Sequence, residues 1–368
     1  MEVKVLSIGQ ICKRFSSGKN ITSQNISEEG VYPVYGGNGL RGYTDTYNFE
    51  GECAIVGRQG AYCGNVKYVR GKAYMSEHAI VAVTNSEHNN KYFYYKLSLA
   101  KLGRFSGQAA QPGLSVTKLL RLKLEMPSRK YQDVIASILS TYDTLIENNT
   151  KRIRLLEKMA ENLYKEWFVR FRFPGHENVE MENGLPKGWT VEKVKDWCRV
   201  FTGRKDVNQT VEGGKYAFFS CSPNMFHSDE YIYDGKAVLI AGNGSYTGRT
   251  RYFEGKFDLY QRTYAVVSDR PDDDFMFYLF LRFKYDFEPL HNGGTRGSAI
   301  PYIVMKDITK YKFLYDTDII KCYTERVKPM FDEIDNLQHQ NSLLARQRDL
   351  LLPRLMSGKL EVKEELLE

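Results

Sequence analysis

A chain of 368 residues can hold two or three domains, each large enough to bury its own core. At 42% hydrophobic and 26% charged, with 26 tyrosines and 20 phenylalanines, it has the make-up of a folded, sheet-rich protein and not of a low-complexity chain. The net charge of +7 permits a polyanionic partner without demanding one, and neither an apolar leader nor an apolar run of about 18 residues marks export or a membrane span.

In chain order, residues 1–127 alternate apolar runs such as Ala54-Ile55-Val56 and His78-Ala79-Ile80-Val81-Ala82-Val83 with Gly, Asn and Ser turns, which predicts a β-rich domain. Residues 128–170 lack Gly and Pro and carry helical periodicity, so one long helix is expected, with Ser128 as its N-cap. Residues 171–189, with three glycines and two prolines, read as a linker. Residues 190–315 repeat the β-rich pattern, 316–357 repeat the helix, and 358–368 form a tail. Six cysteines (12, 53, 63, 198, 221, 322) show no CxxC spacing, so reduced thiols in a cytoplasm are expected.

The repetition is literal. Gly51, Gly60, Tyr62, Gly64, Tyr68, Gly71 and Lys72 return without a gap, 184 positions later, as Gly235, Gly244, Tyr246, Gly248, Tyr252, Gly255 and Lys256. Such a period is far beyond a solenoid unit, so a whole domain is duplicated. The helices repeat at an offset of 188. Residues 139, 142, 146, 149, 153, 156, 160, 163 and 167 make a mostly apolar stripe, matched by Val327, Met330, Ile334, Leu337, Asn341, Leu344, Arg348, Leu351 and Leu355. Both stripes alternate three and four residues like a coiled-coil seam. The expected fold is therefore α+β: two β-rich domains and two long helices in an antiparallel coiled coil, related by a pseudo-two-fold axis. At ~1.5 Å per residue the helices form a rod of roughly 60 Å. Pro329 should kink or restart the second helix. A two-fold passing near residue 151 would set Asn149 against Asn341, the two asparagines of the stripes.

No catalytic constellation stands out. Phosphate loops, HExxH and paired Cys/His spacings are missing. Ser115-Val116-Thr117-Lys118 matches SxxK only by chance and reads as a turn leading into a strand. The repeated cassette suits binding instead. Its glycines fit a tight loop, while the residues that differ between copies are of the kinds that read base edges and hold phosphates. In the first copy these are Arg58, Gln59 and Lys67, and in the second Asn243, Arg249 and Arg251, with the shared Tyr62 and Tyr246 as further candidates. Neighbouring donor-rich loops add Asn38, Arg41, Arg104, Gln108, Gln111, Arg204, Asn292 and Arg296. Plain solvated loops, with Tyr68 and Tyr252 packed in the cores, are the alternative.

The domain–helix–domain–helix order and the stretches LLEKMAENLYKEWFVRFRFPGHE (155–177), GLPKGW (184–189) and LLARQRDLLLPRLMSGKLEV (343–362) resemble type I restriction–modification DNA specificity subunits. That resemblance covers essentially the whole chain. It implies a non-catalytic subunit whose two target recognition domains each read half of a bipartite, asymmetric site on double-stranded DNA. It implies helices that space the halves and dock two methyltransferase subunits, with restriction subunits joining through the complex. S-adenosylmethionine, ATP and Mg would sit on those partners, and no cofactor on this chain. In keeping with this, no Asn/Asp-Pro-Pro-aromatic motif occurs; Ser222-Pro223-Asn224-Met225 comes nearest. A stand-alone restriction–methylation enzyme lacks room here. A coiled-coil scaffold with only non-specific DNA affinity is the remaining alternative.

Overall fold

The computed structural model describes residues 3–60, 62–107, 113–268, 270, 273–292 and 300–362. The chain divides into two units, residues 1–150 with 338–368 and residues 151–337.

In the first unit the apolar runs become β1 (Cys12–Ser17), β2 (Tyr32–Gly36), β3 (Gly39–Thr44), β4 (Phe49–Gly57), β5 (Val66–Met75) and β6 (Ala79–Thr84). They form one sheet in the order β1-β6-β4-β5-β2-β3, antiparallel except where β2 runs parallel to β5, with Val34 beside Tyr74. The run Cys53–Val56 is buried on both faces. Ala54 and Val56 meet Tyr92, Phe93 and Leu97 of the helix Asn90–Leu99, while Cys53 and Ile55 pack with Val69, Met75 and Val81 on the other side. That explains an unbroken apolar run where a half-exposed strand would alternate.

The second unit repeats the plan with β7 (Arg199–Thr202), β8 (Tyr216–Phe219), β9 (Met225–Ser228), β10 (Tyr233–Ala241), β11 (Thr250–Leu259) and β12 (Thr263–Val267). The order is β7-β12-β10-β11-β8-β9, again with one parallel pair, β8 and β11. Val238 and Ile240 face the helix Asp273–Arg282, and Ala237 and Leu239 the opposite cluster. The stretch expected as a linker is partly structured: Phe173 and Trp189 are buried in this unit's core, their rings stacked 5.2 Å apart.

The first long helix is Arg129–Tyr164, extended by a π turn at Lys165–Val169, and the second is Thr317–Met356. Within the first unit they run antiparallel: Asp143 meets Arg348, Asn149 meets Gln340, and Ile135, Ala136 and Leu139 share a core with Leu355 and Met356. Within the second unit Arg152 pairs with Glu333 at 2.7 Å, and Tyr323 donates to the carbonyl of Ala160. Every position of both stripes is buried or half-buried.

Three expectations change in detail. Asn149 and Asn341 do not bond each other. Asn149 donates to Gln340 Oε1, and Asn341 donates to Thr150 Oγ1, each at 3.4 Å. The amides have slipped past one another because a neighbouring polar side chain offers each a partner. Nor does Pro329 restart the second helix, which continues through it. Pro329 and Glu325, whose carbonyl loses its amide partner, both lie on the exposed side, where the freed carbonyl is open to solvent. Ser115-Val116-Thr117-Lys118 is also more than a turn, since Ser115 caps a short helix, Val116–Leu120.

Candidate nucleic-acid interface

The cassette forms the loop between β4 and β5 in the first unit and between β10 and β11 in the second. Backbone contacts hold both loops in the same way. Arg58 N donates to His78 O, and Gly242 N donates to Arg262 O, both at 2.9 Å. Leu114 N donates to Arg58 O, as Ile303 N does to Gly242 O. Gln59 bridges to Gly113, and Asn243 to Tyr302. Each loop is thus clamped between a strand turn and a later segment of its own unit. The repeated glycine Gly64 has φ +89°, and a Cβ there would lie 2.1 Å from the amide nitrogen of Gly103; its counterpart Gly248 has φ +87° and abuts His291. No other residue fits such an approach without strain.

In the first unit the loop gathers several expected residues. Asn38 is exposed at the turn between β2 and β3, and Gly37 of that turn lies against Gly57 and Gln59. Arg41 is exposed on β3, and Lys67 at the start of β5. Tyr62 is 52% exposed. Arg58 is half-buried and donates to Ser17 Oγ at 3.2 Å, so part of its guanidinium is engaged within the unit. Arg104 is exposed on the turn Leu102–Phe105, whose Gly103 touches Gly64. Gln108 and Gln111 lie outside the described residues.

In the second unit Tyr246, at the position equivalent to Tyr62, is 46% exposed, and Arg249 stacks over its ring at 5.6 Å. A large exposed aromatic at the same place in both loops suits a contact surface better than a core. Asn243 is half-buried beside Tyr302. Arg251 turns inward: it donates to Pro223 O at 2.6 Å and lies over Phe219, and burial with the neighbouring Arg249 lowers its pKa. It holds the loop's base more than it presents charge. Arg204 is exposed beside Lys205, whose carbonyl accepts from Gln261 of the β11–β12 turn. Asn292 is exposed after His291, and Arg296 lies outside the described residues. Tyr252 packs against Phe277 and Phe280 as a core residue, and Tyr68 stands by Tyr94 with its hydroxyl on Glu52.

Four positions escaped the sequence reading: His78, Arg262, Lys19 and Tyr302. Extending the 184-residue offset past the cassette aligns His78 with Arg262, and a shift of two more aligns Lys19 with Lys205. Lys19 and Lys205 form matching parallel bridges, to Ser76 and Tyr260. Among the described residues no group of three His, Cys, Asp or Glu side chains is placed to hold a metal, and no helix is long and apolar enough to cross a membrane.

The model of the type I restriction modification DNA specificity domain matches residues 1–158 and 186–314. The specificity subunit of the type I restriction enzyme EcoprrI from Escherichia coli is 39% identical over 166 residues, 44% of this chain and 41% of that protein. The MjaIX specificity subunit of Methanocaldococcus jannaschii is 28% identical over 305 residues, 75% of this chain and 70% of that protein. The match to the first of these spans less than half of that relative's length. In fold, the chain is similar to the S subunit of a type I restriction–modification system from M. genitalium, with TM-score 0.70, 17% identity and 96% of each chain covered.

Proposed function

Since the chain belongs to the type I restriction modification DNA specificity family, we propose that it is the sequence-reading, non-catalytic subunit of such a complex. Residues 1–127 and 190–315 act as two target recognition domains, each reading one half of a bipartite, asymmetric site on double-stranded DNA. The observation that carries this is one loop frame built twice with different side chains on it: Arg58 and Gln59 in one, Gly242 and Asn243 in the other. A shared frame fixes how each loop meets a groove, and diverged donors and acceptors fix which bases it accepts.

The helices, taken as an antiparallel coiled coil with a pseudo-two-fold, set the spacing of the halves and dock two methyltransferase subunits. In support, Leu145, Leu155 and Met159 on the first helix and Leu343 and Leu350 on the second are exposed away from the stripes. Apolar side chains on the outer face of a helix suit a partner surface. Methyl transfer, with its S-adenosylmethionine, belongs to the partner, as do ATP and Mg.

The test is co-expression with a methyltransferase subunit of a type I system, followed by mapping of modified adenines. A two-part motif separated by a fixed spacer is expected. Replacing residues 190–315 with a relative's should change one half of the motif and leave the other intact. If both halves change together, the two-reader assignment is wrong. Retained complex assembly with no motif at all would favour a scaffold.

A further inference from the structure

In the first unit the exposed side chain of Gln59 does not stand alone. Its Oε1 lies 3.1 Å from His78 Nδ1, and His78 Nε2 lies 2.9 Å from Glu77 Oε1. The second carboxylate oxygen of Glu77, Oε2, is buried with no partner among the described residues. The chain Glu77–His78–Gln59 therefore ends at the loop that carries the base-reading residues. At the equivalent place in the second unit, Asn243 and Arg262 make no such side-chain bond among the described residues.

We propose that His78 is a positioning residue that selects which end of the Gln59 amide faces DNA, and so which base edge the first domain reads at one position. The inference rests on the DNA-reading function above. A carboxylate only accepts, so His78 Nε2 must carry a proton to bond Glu77. If the ring is an imidazolium, Nδ1 also donates, Gln59 Oε1 accepts, and the amide shows its NH2 outward, as the structure has it. If the ring is neutral, Nδ1 can only accept. Gln59 must then turn its NH2 to the ring and show Oε1 outward. An outward NH2 meets the acceptor edge of guanine, N7 and O6; an outward Oε1 meets the amino groups of adenine or cytosine. The structure holds the first of these arrangements, with Gln59 Oε1 toward the ring.

The test uses the full chain in complex with its methyltransferase and a library of randomised duplex DNA. Wild type should prefer guanine at one position of the first half-site, where the outward NH2 meets N7 and O6. His78→Leu, which leaves the Gln59 amide free to turn, should shift that preference roughly tenfold toward adenine or cytosine, with every other position unchanged. Gln59→Glu, which can only accept, should favour an amino-bearing base throughout and serves if His78→Leu folds poorly. A selected motif with no dependence on His78 at any position overturns the inference and leaves the DNA-reading function standing. No motif selected even by wild type overturns both.

Discussion

Asp143 is where side-chain chemistry most directly ties elements of the first unit together. It accepts from Tyr95 at 2.5 Å, Lys91 at 2.9 Å and Arg348 at 2.7 Å, joining the first long helix, the helix Asn90–Leu99 and the second long helix. Burial on its own raises the carboxyl's pKa, but these three donors outweigh it and hold the group below its ordinary value. A depressed carboxylate stabilises the fold above the unfolded pKa and loses that contribution as pH falls through the folded one. Asp143→Asn should therefore cost about 1–3 kcal/mol near pH 7 and much less near pH 3, measured by chemical denaturation at both. An equal cost at both pH values would remove the carboxylate's charge from the account. The loop glycines separate in the same way. Gly60 and Gly64 both have positive φ, but a Cβ on Gly60 meets nothing within 4 Å while one on Gly64 meets the Gly103 backbone. Gly60→Ala should cost roughly 1 kcal/mol and Gly64→Ala clearly more, read as melting temperatures. At this scale the cassette's glycines and exposed tyrosines were legible from the repeat. The roles of His78 and Arg262 were not, because they meet the loop through backbone bonds from a distant turn that no local motif announces.

At the scale of elements, the stripes of the two long helices were legible because their three-four alternation survives any change of partner. Register was harder to read. A two-fold argument places Asn149 and Asn341 face to face, yet a shift by one neighbour satisfies each amide through Gln340 and Thr150. What remains is Asn341 Oδ1, buried with no partner. Asn341→Leu should therefore raise stability by about 1 kcal/mol, seen as a melting temperature higher by a few degrees. A fall would show that the bond to Thr150 is worth more than the orphaned oxygen costs. The strand order was not legible at all. The parallel partners β2 and β5 are brought together by pairing that alternation of apolar residues does not encode, since the pattern fixes faces and not neighbours.

For the whole molecule, duplication was the most legible feature, because two copies of one cassette report each other without outside reference. It also makes the spacing proposal testable. Inserting four residues, about one helical turn, into both long helices should lengthen the spacer of the methylated motif without altering either half. An unchanged spacer would assign its length to something other than the helices.

The first unit is assembled from two stretches of chain, residues 1–150 and 338–368, with the whole of the second between them. During synthesis, the helical segment that brings Leu355 and Met356 to Ile135, Ala136 and Leu139 leaves the ribosome after the second unit is complete. The usual vectorial order is therefore reversed: the later-made unit is free to mature first, while the earlier-made one waits with an open apolar face. Ribosomes stalled at residue 368, with the end of the second helix still in the exit tunnel, should carry a protease-resistant 151–337 fragment and a sensitive amino-terminal half, and the chain becomes hardy throughout only once it is released.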